Sequence, residues 1–173
     1  MNFRHIAFGI GALACSGSLL AAEASQTPAP QSLFARYASD AQELVLRALS
    51  LVGANYRRGG ESPDTGFDCS GLVRHVFRES LGLSLPRTSK EISHFGEKID
   101  NEALQPGDLV FFNTLRRGFS HVGIYLGEHR FVHAPVTGGQ VRIEDMRKSY
   151  WVKRFNGARR IATALAGGQG SSD

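Results

Sequence analysis

Cysteine is scarce in this chain of 173 residues, which contains only Cys15 and Cys69. Two cysteines exclude a scaffold of several disulfides and a four-cysteine zinc ribbon. Long apolar runs are missing too, since no segment approaches the roughly 20 residues that a transmembrane helix needs. Glycine and proline, at 20 and 6 residues, are too few for a collagen-like or broadly disordered chain. The remaining composition, 42% hydrophobic and 21% charged, is typical of one globular domain.

The first 24 residues have the pattern of a secretory signal peptide. An apolar run over 6–14 follows two basic residues, and Ala-Glu-Ala at 22–24 matches an A-x-A cleavage site. Residues 12–15 offer an alternative, because they resemble a lipoprotein box that would make Cys15 a lipidated N-terminus. We favour cleavage after residue 24, since Ala12 stands where that box usually has a larger aliphatic residue. The sequence therefore predicts an exported protein.

The charge is moderately positive, with 20 Lys and Arg against 16 Asp and Glu and a net charge of +4. The basic residues are spread along the chain, and the densest stretch, 147–160, alternates with strand-like apolar residues. This distribution predicts no nucleic-acid partner. It suits loose attraction to an acidic polymer.

The predicted organisation is a signal peptide (1–24), a linker (25–37), one domain (38–163) and a disordered tail (164–173). Helical periodicity comes first, over 41–52 with Ser39 and Asp40 as N-caps, over 72–81 up to Gly82, and after the Thr88/Glu91 capping box. Residues 55–65 are predicted as a loop. Strand-like segments follow, at 108–112, 121–126, 130–134, 140–143 and 151–161. Helices followed by an antiparallel sheet predict an α+β domain.

Cys69 is the cysteine that remains in the mature chain whichever way it is processed. It lies where a polar segment meets the second helix, and free N–H groups and the helix dipole stabilise a thiolate at such a position. A lone thiol exported into an oxidising compartment is a liability unless it has a task. The sequence therefore favours Cys69 as a catalytic nucleophile over a structural cysteine, provided that a base is present.

Two of the five histidines beyond the signal peptide are candidates for that base. His75, His94 and His129 are predicted to lie on the surface, whereas His121 and His133 lie in successive strands. They share a face of the sheet only if paired residue numbers sum to an even value. We therefore predict an odd-numbered turn, which pairs 126 with 130 and sets Gly123 opposite His133, leaving open space beside both rings.

The predicted chemistry is a nucleophile, a base and an orienting group. Cys69 attacks, His121 takes the thiol proton, and His133 fixes the tautomer and ring orientation of His121. Tyr56, in the loop before the cysteine, is either a further hydrogen-bond donor to the site or a packing residue. Cys69, His121 and His133 also offer three zinc ligands, but no fourth ligand or carboxylate base accompanies them. We therefore predict no metal or cofactor.

Six motifs in order resemble the NlpC family of bacterial cell-wall cysteine peptidases, and the resemblance covers about residues 44–161. It implies a papain-like α+β fold with Cys69 as nucleophile, His121 as base and His133 as the orienting residue. Tyr56 occupies the place of the family tyrosine that approaches the cysteine. The motifs are YRRGG at 56–60, GFDCSGLV at 66–73, LPRT at 85–88, PGDLVFF at 106–112, SHVGIY at 120–125 and FVHA at 131–134.

The substrate implied by the resemblance is the peptide stem of peptidoglycan. Two bonds fit: the D,D crosslink between meso-diaminopimelate and D-alanine, and the bond from γ-D-glutamyl to meso-diaminopimelate. We expect a periplasmic monomer without a membrane span, with a lipid anchor to the outer membrane at Cys15 as the alternative. The rival functions are a peptidoglycan amidase or acyltransferase on the same fold, and a catalytically inactive wall-binding domain.

Overall fold

The computed structural model of the chain describes residues 33–114, 118–136 and 139–161. The predicted signal peptide, Cys15 and the predicted tail lie outside the described residues, so the domain boundaries at 38 and 163 stay predictions. Among the described residues, no helix has the length and apolar character that crossing a membrane requires.

Helix α1 spans Leu33–Ser50 and begins earlier than the sequence suggested. The prediction of N-caps at Ser39 and Asp40 was wrong, because a polar side chain inside a helix can face solvent without breaking the backbone ladder, and Ser39 is exposed. The helix also covers the end of the segment predicted as a linker. Its apolar positions Ala41, Leu44 and Ala48 are buried, which gives α1 one packing face.

A two-stranded hairpin, β1 (Glu61–Ser62) with β2 (Gly66–Phe67), interrupts the segment that was predicted as a loop. Helix α2 follows directly at Cys69–Leu81, with Asp68 as its N-cap, and ends at Gly82 in the left-handed conformation (φ 67°). Helix α3 (Ser89–Ile92) has the predicted capping box between Thr88 and Glu91. The predicted ends of α2 and the predicted start of α3 are thus confirmed.

A six-stranded antiparallel sheet forms the second half of the domain, in the order β3-β8-β4-β5-β6-β7. It confirms the α+β class. A 3-10 turn lies at Asn101–Ala103 and a short helix, α4, at Ser149–Val152. The strands are β3 (Glu97–Ile99), β4 (Leu109–Phe112), β5 (His121–Gly127), β6 (Arg130–His133), β7 (Arg142–Asp145) and β8 (Phe155–Arg160).

Two strand predictions need correction, and one strand was not predicted. The strand predicted at 140–143 begins two residues later, because Gln140 pairs with Asn55 in an isolated bridge outside the sheet. The segment predicted as a strand at 151–161 is the end of α4 followed by β8: Trp151 is buried and lies in the helix, and the strand begins only at Phe155. Strand β3 was not predicted, since Glu97 and Lys98 are exposed and leave no apolar alternation to read.

The sheet is buried on both faces at its centre. On one face, α1 and α2 cover side chains such as Phe111, Val122 and Ile124. On the other, Phe112 and Phe131 pack with Trp151. Because α2 packs on β5, the residues that begin these two elements, Cys69 and His121, belong to the contact between helix and sheet.

Candidate active site

The connection from β5 to β6 decides which way the two strand histidines face. It is a two-residue turn at Glu128 and His129, both with positive φ (51° and 59°), as a type I′ hairpin turn requires. The predicted odd-numbered turn was therefore wrong. A β-bulge between Tyr125 and Gly127 nevertheless shifts the register, so that Ile124 pairs with Val132. The predicted even parity is thus restored by the bulge instead of the turn.

His121 and His133 consequently meet on one face, as predicted. Nε2 of His121 lies 2.7 Å from Nδ1 of His133, and the two rings are perpendicular. Both side chains are buried. Burial lowers the pKa of each ring well below the usual 6.5, so both imidazoles are neutral near pH 7 and one nitrogen of the pair donates to the other.

Gly123 does not leave open space beside the rings, contrary to the prediction. A Cβ added there would lie 2.6 Å from a ring carbon of Phe131 and 2.8 Å from the carbonyl oxygen of Val132. The missing side chain of Gly123 is what allows Phe131 to pack close to β5. Phe131 in turn lies against the ring of His133, with centroids 4.8 Å apart.

Trp151 covers the histidine pair. Its ring stacks on His121 at 5.9 Å between centroids and meets His133 edge to face at 5.1 Å. Sequence reasoning missed this role because it placed Trp151 in a strand. The sequence did contain a signal for this role, because Trp151 is the single tryptophan of the chain and tryptophan supplies a large apolar surface to a site.

Cys69 begins α2 and remains partly exposed as a free thiol. The backbone N–H of Val122, the residue after His121, lies close enough to the sulfur to favour the thiolate. The start of α2 is therefore near the start of β5. The structure thus brings the three predicted side chains, Cys69, His121 and His133, to one region of the helix–sheet contact.

The expected stabilised thiolate is not what the structure supports. Burial raises the pKa of Cys69 to about 11, and the negative charge of Asp68 adds to this effect. Backbone N–H groups of Val122, Ser70 and Cys69 itself favour the thiolate but do not outweigh burial. Cys69 is therefore a neutral thiol at rest and needs a base to become a nucleophile.

Asp68 fixes the first turn of α2, a role that sequence reasoning did not assign. Its Oδ1 accepts from the backbone N–H of Gly71 (2.7 Å) and its Oδ2 from that of Gly59 (2.9 Å). Arg87 donates to both carboxylate oxygens, at 3.2 and 2.6 Å, and to Oγ of Ser70 at 2.8 Å. Burial alone would raise the pKa of Asp68, but these hydrogen bonds and the charge of Arg87 hold it below its usual value.

The ion-pair network extends away from the cysteine. Nε of Arg87 lies 2.6 Å from Oε1 of Glu61 in the hairpin, and Arg74 of α2 pairs with the same carboxylate. Arg74 also donates to the carbonyl of Leu85 (2.9 Å). The first turn of α2, the hairpin and the segment before α3 are thus tied together. The signal in the sequence was an acidic residue directly before a helix, the position that N-caps prefer.

Tyr56 lies next to this turn. Tyr56 forms a parallel bridge with Phe67 through the backbone of its neighbours: the N–H of Arg57 donates to the carbonyl of Phe67, and the N–H of Phe67 donates to the carbonyl of Asn55, both at 2.9 Å. Burial, followed by the proximity of Cys69 and Asp68, raises the pKa of Tyr56. The phenol therefore keeps its proton and can act as a donor, and it also packs against the core.

The other histidines lie apart from the Cys69 region. His94 and His129 are exposed, as predicted. His75 is buried, so its predicted surface position was wrong: Phe67 lies against its ring at 5.2 Å, and Arg47 and Arg78 approach its two nitrogens at 3.5 and 3.4 Å. The error arose because α1 packs on α2 and covers a face that looks polar in sequence.

No cluster of three or more His, Cys, Asp or Glu side chains that would suit a metal ion occurs among the described residues. Cys69, His121 and His133 do not form a metal site either, since Nε2 of His121 is hydrogen-bonded to Nδ1 of His133. The arrangement suits proton transfer between a thiol and an imidazole.

Fold and site together define an α+β domain with a cysteine at the start of a helix and a hydrogen-bonded pair of histidines on the sheet against which that helix packs. The chain belongs to the NlpC/P60 family, whose family model matches residues 53–160. Among the solved structures, an NlpC/P60 family protein from Bacillus cereus aligns with a TM-score of 0.66 and 31% identity over 70% of this chain and 40% of that one.

Two curated relatives carry functional names. Murein DD-endopeptidase MepS/Murein LD-carboxypeptidase of Escherichia coli K12 is 46% identical over 109 residues, which are 63% of this chain and 56% of MepS. Gamma-DL-glutamyl hydrolase of Bacillus subtilis 168 is 42% identical over 119 residues, 68% of this chain and 29% of the hydrolase. The chain thus spans about half or less of the length of these relatives.

Proposed function

We propose that this protein is an exported peptidoglycan endopeptidase that hydrolyses peptide stems or crosslinks through a Cys-His-His mechanism. One observation carries the proposal: His121, at the start of β5, is hydrogen-bonded to His133, and the N–H of the next residue, Val122, is near enough to Cys69 to favour its thiolate. A base paired with an orienting group beside a thiol is the arrangement for nucleophilic catalysis. Membership of the NlpC/P60 family supports the peptidoglycan substrate.

The reaction starts from a neutral thiol and a neutral imidazole, because burial raises the pKa of Cys69 and lowers the pKa of His121. Since Nε2 of His121 is bonded to His133, Nδ1 is the atom that takes the thiol proton. Sulfur attacks the scissile carbonyl as the proton leaves, and the backbone N–H of Cys69 stabilises the oxyanion. The C–N bond then breaks and the imidazolium returns its proton to the leaving amine. Water, deprotonated by His121, hydrolyses the thioester.

His133 acts as the positioning residue in this scheme. If His121 is to accept at Nδ1, its Nε2–H must donate to Nδ1 of His133, so the proton of His133 sits on Nε2. That nitrogen is buried and has no hydrogen-bond partner among the described residues. A buried N–H without an acceptor is costly, typically by about 1–3 kcal/mol. His133 therefore orients His121 less firmly than an acceptor-only group would.

The proposed substrate bond is one of two. The name of MepS refers to D,D bonds in murein and that of the Bacillus relative to γ-DL-glutamyl bonds. These names support both the D,D crosslink to meso-diaminopimelate and the γ-D-glutamyl bond to the same residue. We further propose a periplasmic monomer, on the strength of the leader-like residues 1–24, with a lipid anchor at Cys15 as the alternative.

Mass analysis of muropeptides digested by the purified protein tests the function and identifies the bond. Wild type should release stem fragments, and Cys69→Ala should release none while it unfolds at the same temperature. Full activity of Cys69→Ala would refute the mechanism. Release of intact stems from glycan would identify an amidase, and no product from wild type would favour an inactive wall-binding domain.

The two histidines should differ in a quantitative way. His121→Ala removes the base itself, whereas His133→Ala removes only the group that orients it, so the loss of kcat should be greater for His121. Equal or reversed losses would contradict the assigned roles. The thermal unfolding of both variants serves as the control for folding.

A further inference from the structure

A cleft of about 430 Å³ opens beside His121 and has no role in the scheme above. It lies between the β7 side of the sheet and α4. His121 belongs to its lining, whereas Cys69 does not. The side chains used below are Arg142, Glu144, Lys148, Tyr150 and Trp151, all of which line the cleft.

The polar side of the cleft carries two cations arranged around one carboxylate. Nε of Arg142 donates to Oε1 of Glu144 at 2.9 Å, and Nζ of Lys148 donates to Oε2 at 2.6 Å. The Glu144 side chain is only 13% exposed, whereas those of Arg142 and Lys148 are 40% and 61% exposed. Glu144 thus positions both cations while they remain accessible, and the group keeps a net positive charge.

Another part of the cleft lining is aromatic. Tyr150 is 47% exposed, and its ring meets that of Trp151 edge to face at 4.8 Å. An apolar wall beside a positive group suits a ligand that combines a short hydrocarbon chain with a carboxylate. Guanidinium and carboxylate groups form strong, directional hydrogen bonds.

The position of the cleft tells which part of a substrate it would contain. In thiol hydrolysis the imidazole protonates the leaving amine, so the leaving group must lie on the His121 side of the sulfur. The cleft is lined by His121 and not by Cys69. It therefore accommodates the residue that departs with the amine.

We infer that this cleft is a subsite for the leaving-group residue, in which Arg142 and Lys148 bind a free carboxylate of a diamino acid. The inference rests on the proposed function, in which both candidate bonds have diaminopimelate as the leaving group. Diaminopimelate has a hydrocarbon chain between two amino-acid centres, and the carboxylate of its D-centre is free in both cases. The chain would lie along Tyr150 and Trp151, and the carboxylate would meet the two cations.

The test compares two synthetic stem peptides that differ only in the D-centre carboxylate of diaminopimelate, free in one and amidated in the other. Wild type should show a kcat/KM about 10- to 100-fold higher for the free acid. Arg142→Gln should reduce this preference to less than about threefold, and Lys148→Gln, which changes a more exposed side chain, should reduce it in part. Lys153→Gln removes an equal charge from an exposed residue outside the cleft lining and should preserve the preference.

Binding to the Cys69→Ala protein, measured by calorimetry, separates the subsite from the reaction. If wild type cleaves neither peptide, the proposed function fails, yet preferential binding of the free acid would still support the subsite. Cleavage and binding of both peptides with equal efficiency would overturn the subsite while the function stands. So would an equal loss for both peptides in Arg142→Gln, because that result would mean that Arg142 only supports the fold.

Discussion

Asp68, directly before Cys69, both caps α2 and pairs with Arg87. Substitutions of Asp68 can separate the contributions of these two roles to stability. Asp68→Asn keeps a side-chain oxygen that can accept from the N–H of Gly71, but it removes the charge that pairs with Arg87. Asp68→Ala removes both. Because Asn and Asp cap helices about equally well, the difference between wild type and Asp68→Asn measures the ion pair together with the hydrogen bond that Oδ2 accepts from the N–H of Gly59.

The expected magnitudes follow from burial. Hydrogen bonds to charged groups are worth about 1.5–3 kcal/mol. Arg87 is 37% exposed and also pairs with Glu61. Water and Glu61 therefore replace part of the stabilisation that Arg87 loses when the charge of Asp68 is removed. We expect Asp68→Asn to lower the free energy of unfolding by about 1–2 kcal/mol, and Asp68→Ala by about 1 kcal/mol more. At about 4 °C per kcal/mol in a domain of this size, Tm should fall by about 4–8 °C and 8–12 °C.

The pH dependence gives an independent check. The pKa of Asp68 is lower in the folded protein than its usual value, so its charge stabilises the fold above the unfolded-state pKa. That contribution is lost as the pH falls through the folded-state pKa. The gap between wild type and Asp68→Asn should therefore shrink in acid.

Urea unfolding of wild type, Asp68→Asn, Arg87→Gln and the double variant isolates the coupling between the two residues. A coupling below about 0.3 kcal/mol at pH 7, or a gap that stays constant as the pH is lowered, would refute the ion-pair account. The same variants test the thiol. The charge of Asp68 raises the pKa of Cys69, so alkylation of Asp68→Asn should begin at lower pH.

Three further predictions follow from the buried rings. Trp151→Ala should lower kcat about 10- to 100-fold, because the ring of His121 loses the ring on which it stacks. Trp151→Phe should lower kcat less, and steady-state assays of both variants measure the difference. His133→Asn should retain about tenfold more activity than His133→Ala, because an amide oxygen accepts the Nε2–H of His121 without a tautomer of its own. Burial lowers the pKa of His75, His121 and His133; the unfolded chain therefore binds more protons, and denaturant titrations should show stability falling as the pH drops below about 6.5.

The helix ends and the candidate nucleophile could be predicted because they depend on local chemistry. A left-handed cap at Gly82 and the Thr88/Glu91 capping box involve residues within one turn of each other. Cys69 at the start of α2 follows from the same kind of signal. The chain also determined a parity condition, since His121 and His133 can share a face only in even registers.

How the fold meets that condition depended on tertiary structure. The bulge between Tyr125 and Gly127 compensates for a two-residue turn, and no local pattern distinguishes a bulge from a longer loop. The burial of His75 under α1 and the position of Trp151 over the histidine pair depend on how separate elements pack.

Cys69 shows the same contrast between local sequence and tertiary packing. Sequence alone marked Cys69 as the thiol at a helix start, a position where a thiolate is favoured. Tertiary packing reversed that expectation, because burial against β5 raises its pKa to about 11 despite the N–H donors around it. Local sequence determines which groups stand next to one another along the chain. Desolvation depends on everything that packs around a group, and only the folded structure decides it.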